Sequence, residues 1–129
     1  MKRILYLVAG IFIGAFVVAV LNAAKVEVPD AVKASPQFYT VRYESDRVRV
    51  VEYRLKPGQR EPMHTHRPGV TYIVSSAKIR TTLPTGAVQE GMLQAGDVHG
   101  RETSVTHATE NVGNTEAHAI IMEFKDSVR

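Results

Sequence analysis

No cysteine occurs in the 129 residues. That excludes disulfides, thiolate metal ligands and a cysteine nucleophile together, and it leaves the redox compartment open. Acid is missing from residues 1–24, where Lys2 and Arg3 are the charged side chains. Those two account for much of the net charge of +3, because without them 14 cationic side chains face 13 acidic ones. A nucleic-acid partner calls for a clustered basic face. Here the two signs are mixed along the rest of the chain, so nucleic acid is set aside. Helical periodicity is missing between residues 40 and 125, as are low-complexity tracts and tandem repeats.

What is present begins with a cationic start, Met1-Lys2-Arg3, and an uncharged apolar run from Ile4 to Leu21. Asn22-Ala23-Ala24 follows, and the composition turns polar at Lys25. This is the order of an export signal. The run is long for one: 18 residues of helix would span roughly 27 Å, close to a bilayer core. Two fates stay open, cleavage after Ala24 and retention as a membrane-anchoring helix. With Lys2 and Arg3 on the cytoplasmic side, the remainder lies across the membrane in both. The expected location is periplasmic or extracellular, or membrane-anchored facing outward, with membrane contact through this segment alone. The organisation expected is a signal or anchor over 1–24, a connector over 25–40 and a β-domain over 41–129. In the connector, Pro29 and Pro36 oppose regular structure, and residues 30–34 allow a helical turn at most.

From Phe38 onward the chain reads as strands separated by Gly/Pro turns. Val48–Leu55 is rich in branched and aromatic residues, and its adjacent Val50-Val51 suggests a bulge. Further strands are expected over 70–74, 77–82, 87–93, 98–101, 105–111 and 117–124. Short antiparallel strands at this spacing point to an all-β sandwich or closed barrel.

Within this β pattern, His64 and His66 are two residues apart and share a strand face. Two imidazoles begin a metal site without completing one. His107 is the best candidate for the third. Three neutral imidazoles suit a divalent transition metal (Zn, Fe, Ni, Cu or Mn) and leave it its full charge, able to polarise bound water or bind an oxygen-bearing ligand. His99, two residues past Asp97, is the candidate acid/base. His118 shares parity with Ile120, Met122 and Phe124 and reads as a packing or edge residue. Glu61, at odd spacing from His64, falls on the other strand face unless a bulge intervenes, and is expected to be solvated. Thr71 or Tyr72 can offer a cavity hydroxyl, and Asn111 a structural turn contact.

The chain also resembles a small single-domain cupin over about residues 45–125. Gly58, five residues and His64-Thr65-His66 match the first cupin motif; Gly96-Asp97 and His107-Ala108-Thr109-Glu110-Asn111 match the second. The resemblance implies an antiparallel double-stranded β-helix, or jelly roll, with the metal inside the barrel and His64, His66 and His107 as its ligands. The glutamate of the first motif would fall at Val70 or Thr71, and neither is a carboxylate. Its closing glycine and the second motif's Pro-x-Gly are missing too. The expectation is an exported metal-binding cupin that binds or acts on a small molecule, with no organic cofactor. The alternative is a non-catalytic ligand-binding or assembly barrel of the cell envelope. Pairing into a homodimer through strand edges is the family-level expectation.

Overall fold

The computed structural model describes residues 26–125. The apolar run and its expected helix lie outside them. One short helix, α1 (Ala31–Ala34), precedes nine strands: β1 (Tyr39–Glu44), β2 (Val48–Leu55), β3 (Arg60–His66), β4 (Gly69–Ser75), β5 (Ala77–Thr82), β6 (Val88–Leu93), β7 (Val98–Arg101), β8 (Val105–Asn111) and β9 (Ala117–Phe124). They form a five-stranded sheet in the order β1-β2-β9-β4-β7 and a four-stranded sheet in the order β3-β8-β5-β6. All the strand pairs are antiparallel. This is the jelly-roll architecture that the strand pattern and the resemblance led us to expect.

The core lies between the sheets. Alternation on β2 turns Val51, Tyr53 and Leu55 inward, where they meet Ile73 of β4, Ala77 of β5 and Ala117, Ala119 and Ile121 of β9. Leu55 and Ile73 are fully enclosed, and each such side chain stabilises the fold by about 1.5–3 kcal/mol. Asn111 has the structural role expected of it. Its Nδ2 donates to the carbonyls of Leu55 and Thr115, each at 2.8 Å, and its Oδ1 accepts from Gly113 N–H.

Two local expectations need correction. The irregularity near Val50-Val51 belongs to the partner strand: the register slips between Val41 and Tyr43 of β1, while β2 pairs with β9 without interruption. The second concerns β9, which carries apolar residues on both faces. The side that turns inward is the small one, Ala117-Ala119-Ile121-Glu123, while Met122 and Phe124 stay exposed. A barrel interior that must also hold ring side chains has room for alanines there. His118 accordingly sits outside, its Nε2 2.8 Å from Glu52 Oε1.

The connector is attached to the barrel. Thr65 N–H donates to the Pro29 carbonyl at 2.9 Å, and Asp30 bridges to Thr65. This covers the outer edge of β3, which would otherwise present unpaired backbone groups. Asp30 also caps α1 by accepting from Lys33 N–H at 3.1 Å.

Gly69 marks the closest approach of β4 to β9, since a Cβ there would stand 1.9 Å from the Met122 carbonyl oxygen. Gly69→Ala should therefore cost about 3 kcal/mol, by overpacking against backbone that cannot yield. Gly91→Ala on β6, where a Cβ meets open space, should be neutral or slightly stabilising. Urea denaturation of the two variants measures the contrast.

Candidate metal centre

His64 and His66 alternate with outward residues on β3, and both are buried. β8 runs antiparallel beside them, in a register that sets His107 directly across from His64. The ring centroids of His107 lie 4.8 Å from those of His64 and 5.3 Å from those of His66. One nitrogen from each of the three lies within 4.8 Å of the others.

The partners of the first two rings fix their tautomers. His64 Nδ1 is 2.9 Å from the Pro62 carbonyl, which only accepts, so Nδ1 carries the hydrogen. His66 Nδ1 is 3.1 Å from Glu123 Oε1. Burial works against the charge of Glu123, but hydrogen bonds from His66 and Arg49 outweigh it and hold its carboxyl below the usual range. That carboxylate accepts from His66 Nδ1. In the neutral rings both Nε2 atoms therefore carry lone pairs, and they face each other at 3.0 Å. The Tyr39 hydroxyl, 3.3 Å from His64 Nε2, can satisfy one of them. Two ligands held about 2.0–2.1 Å from one metal stand roughly 3 Å apart, so the pair fits a shared cation.

Burial favours the neutral form of His64 and of the third ring, His107. It pushes His64 down, and it pushes His107 down to about 3, with the neighbouring histidines and Arg101 adding to the second shift. Neutral imidazole is the form that binds metal.

Glu61 is where sequence reasoning failed. It is 1% exposed, and its Oε1 lies 3.8 Å from His64 Nε2 and 3.2 Å from the Tyr53 hydroxyl. The cause is a bulge: β3 uses three residues from Glu61 to His64, where β8 uses two from Thr109 to His107. Pro62 lies inside that step. A proline within a strand is itself a bulge signal, and it was the clue to Glu61. Burial raises the Glu61 carboxyl, although His64 and the hydroxyls of Tyr39, Tyr53 and Thr109 pull the other way. Its Oε2 is buried without a hydrogen-bond partner among the described residues, an orphaned acceptor beside the histidine group.

Glu123 was also missed: it shares parity with Ala117, Ala119 and Ile121, a face that nothing local in β9 marks as the inward one. It joins the centre to the connector: Arg49 Nε donates to it at 2.8 Å, and Arg49 Nη1 reaches Asp30 at 3.1 Å. A cavity of about 200 Å³ opens beside the rings. His66, His107 and Glu61 line it, as does Thr71, while Tyr72 faces solvent. His99 stands on the exposed strand β7, opposite Thr71, on the cavity wall and outside the three-histidine group.

These shifts give a pH prediction for the metal-free protein. The unfolded chain protonates His107 near 6.5 and the folded one only near 3. Across that window the unfolded state binds the extra proton, so this histidine makes stability fall as pH drops. His107→Gln should flatten the fall, as measured by denaturant midpoints at pH 7 and pH 4.5.

No family model and no curated protein matches the sequence. Solved structures do. The chain is similar to a cupin domain from Bordetella pertussis Tohama I, at 25% identity over 78% of this chain and 99% of that one, with a TM-score of 0.63. It is similar to a cupin superfamily protein from Desulfitobacterium hafniense DCB-2, at 17% identity over 68% of this chain and 76% of that one, TM-score 0.52. A double-stranded β-helix protein from Klebsiella pneumoniae matches at 22% identity over 65% and 68%, TM-score 0.53. Two antiparallel sheets enclosing a histidine group, together with these likenesses, show that the described residues have the fold of a small cupin domain.

Proposed function

We propose that this protein is a cell-envelope metalloprotein that binds one divalent transition metal through His64, His66 and His107 and acts on a small oxygen-bearing molecule in the adjoining cavity. The observation that carries this reading is the pair of lone-pair-bearing Nε2 atoms 3.0 Å apart, each ring locked by its own Nδ1 contact. A metal bound there supplies Lewis acidity to an oxygen ligand or a bound water.

The chain's own groups then divide the remaining work. Glu61 takes the place of the carboxylate missing from Val70 and Thr71, reached from the opposite side of the histidine pair. With its carboxyl raised by burial, it can hold or release a proton at the ligand. Burial also raises Tyr39 and Tyr53 well above the usual phenol range, so both hydroxyls remain donors. Ile73, Ile79, Leu93 and Ile121 wall the cavity and limit its water. His99 sits where it can pass protons between the cavity and solvent.

The Lys2-Arg3 start and the run to Leu21 support placement across the cytoplasmic membrane. Pairing of two copies is supported by the outer face of the five-stranded sheet, where Tyr43, Tyr72, Val98, Met122 and Phe124 are all exposed.

Metal analysis of the purified protein should find about one equivalent per chain. His64→Ala and His107→Ala should each lose it, and full occupancy in both would defeat the proposal. Glu123→Gln should weaken metal binding about 10- to 100-fold, as expected for a group that orients a ligating histidine. Glu61→Gln should keep the metal and lower turnover about 100-fold or more. A barrel that only binds ligand would show a ligand-stabilised fold without turnover in a substrate screen.

A further inference from the structure

Arg101 closes β7 opposite Gly69 and lines the same cavity as His66 and His107. Its Nη1 donates to Thr71 Oγ1 at 2.6 Å, which fixes the plane of the guanidinium. Its Nη2 is buried and has no hydrogen-bond partner among the described residues. Among the described residues no carboxylate pairs with it: Glu123 is taken by Arg49 and His66, and Glu61 by Tyr53. An enclosed N–H group of a cation left without an acceptor is costly. Burial presses this guanidinium below its usual range, outweighing the opposite pull of the nearby Glu123 and Tyr39. The walls between Arg101 and the histidines include Ile73, Ile79, Leu93 and Ile121, which are apolar.

We propose that the cavity takes a small organic carboxylate with an apolar body, its anionic group held by Arg101. This rests on the metal reading above only for the ligand's other end, where an oxygen would meet the histidine group. A guanidinium matches the two oxygens of a carboxylate with parallel N–H bonds. Nε of Arg101 faces the Arg67 carbonyl at 3.4 Å and one Nη1 hydrogen is on Thr71, so the Nη1–Nη2 end is the one left to make them. An ammonium ligand would be repelled and a wholly apolar one would leave Nη2 unpaired. A cavity of about 150 Å³ holds benzene, with six non-hydrogen atoms, so the space here, about 200 Å³, fits a ligand of about eight.

Calorimetric titration with benzoate and 4-methylpentanoate, each against its neutral amide, tests the assignment on both metal-loaded and chelator-stripped protein. Wild-type protein should prefer each carboxylate to its amide by roughly 10- to 100-fold, the weight of a charge-assisted hydrogen bond. Arg101→Gln should lose that preference in both metal states while its metal content stays unchanged. Arg101→Lys should keep part of it, because the charge remains and the fork is gone. Thr71→Val, which frees the guanidinium without removing it, should weaken carboxylate binding several-fold, and it serves if Arg101→Gln melts below the titration temperature. Equal affinity for acid and amide in wild-type protein, no binding of either acid, or a preference surviving Arg101→Gln would each overturn the proposal. A wild-type protein that holds no metal would instead overturn the metal reading, and the stripped-protein titration would still decide the role of Arg101.

Discussion

The register of β3 against β8 is the constraint on which the site depends. It sets His64 across from His107 and, through the extra residue at Pro62-Met63, brings Glu61 round to the same interior face. Strand geometry is unforgiving in this respect, because a one-residue slip reverses every side chain. Without the bulge, Glu61 would point to solvent and the histidines would have no carboxylate neighbour. With it, Pro62 loses no ladder bond that it could have made, and its carbonyl orients His64.

Around that register the interior holds an unusual share of polar groups for a small barrel. Buried charges are tolerated when paired and hydrogen-bonded, and are costly when not. Glu123 belongs to the first kind: Arg49 and His66 both reach it, and Arg49 ties it to Asp30 at the head of α1. The connector is thereby joined to the centre by a continuous row of charged contacts. Glu61 and Arg101 belong in part to the second kind, each with one buried atom lacking a partner. Both unpaired atoms belong to residues that line the cavity beside the histidine group. The third such atom among the described residues, Ser35 Oγ, belongs to a residue outside that lining; the other two lie where the proposed metal and anionic ligand would supply partners.

Most strands were legible because their periodicity and turn residues are local signals. β2, β5, β7, β8 and β9 match their expected bounds, several of them beside turn residues such as Pro57-Gly58, Pro84, Gly96 and Gly113-Asn114. The histidine triad was legible too, in the His-x-His spacing and its match to a known motif pair. Less legible was β9, where apolar residues on both faces give no local cue to which face turns inward. The choice there is made by the volume left between two sheets.

By itself the sequence determined a β-domain with two histidines on one face of a strand and a candidate third on another strand, because alternation on a strand is a property of the backbone. Tertiary structure alone decided that Glu61, Glu123 and Arg101 join them. Each depends on a relation between strands: a bulge, hinted at by Pro62 but measured only against a partner strand, an inward face chosen by packing, and an arginine whose nearby carboxylates are taken by others. Electrostatic partnership is a relation between strands distant in sequence, so it comes into being only when the two sheets close.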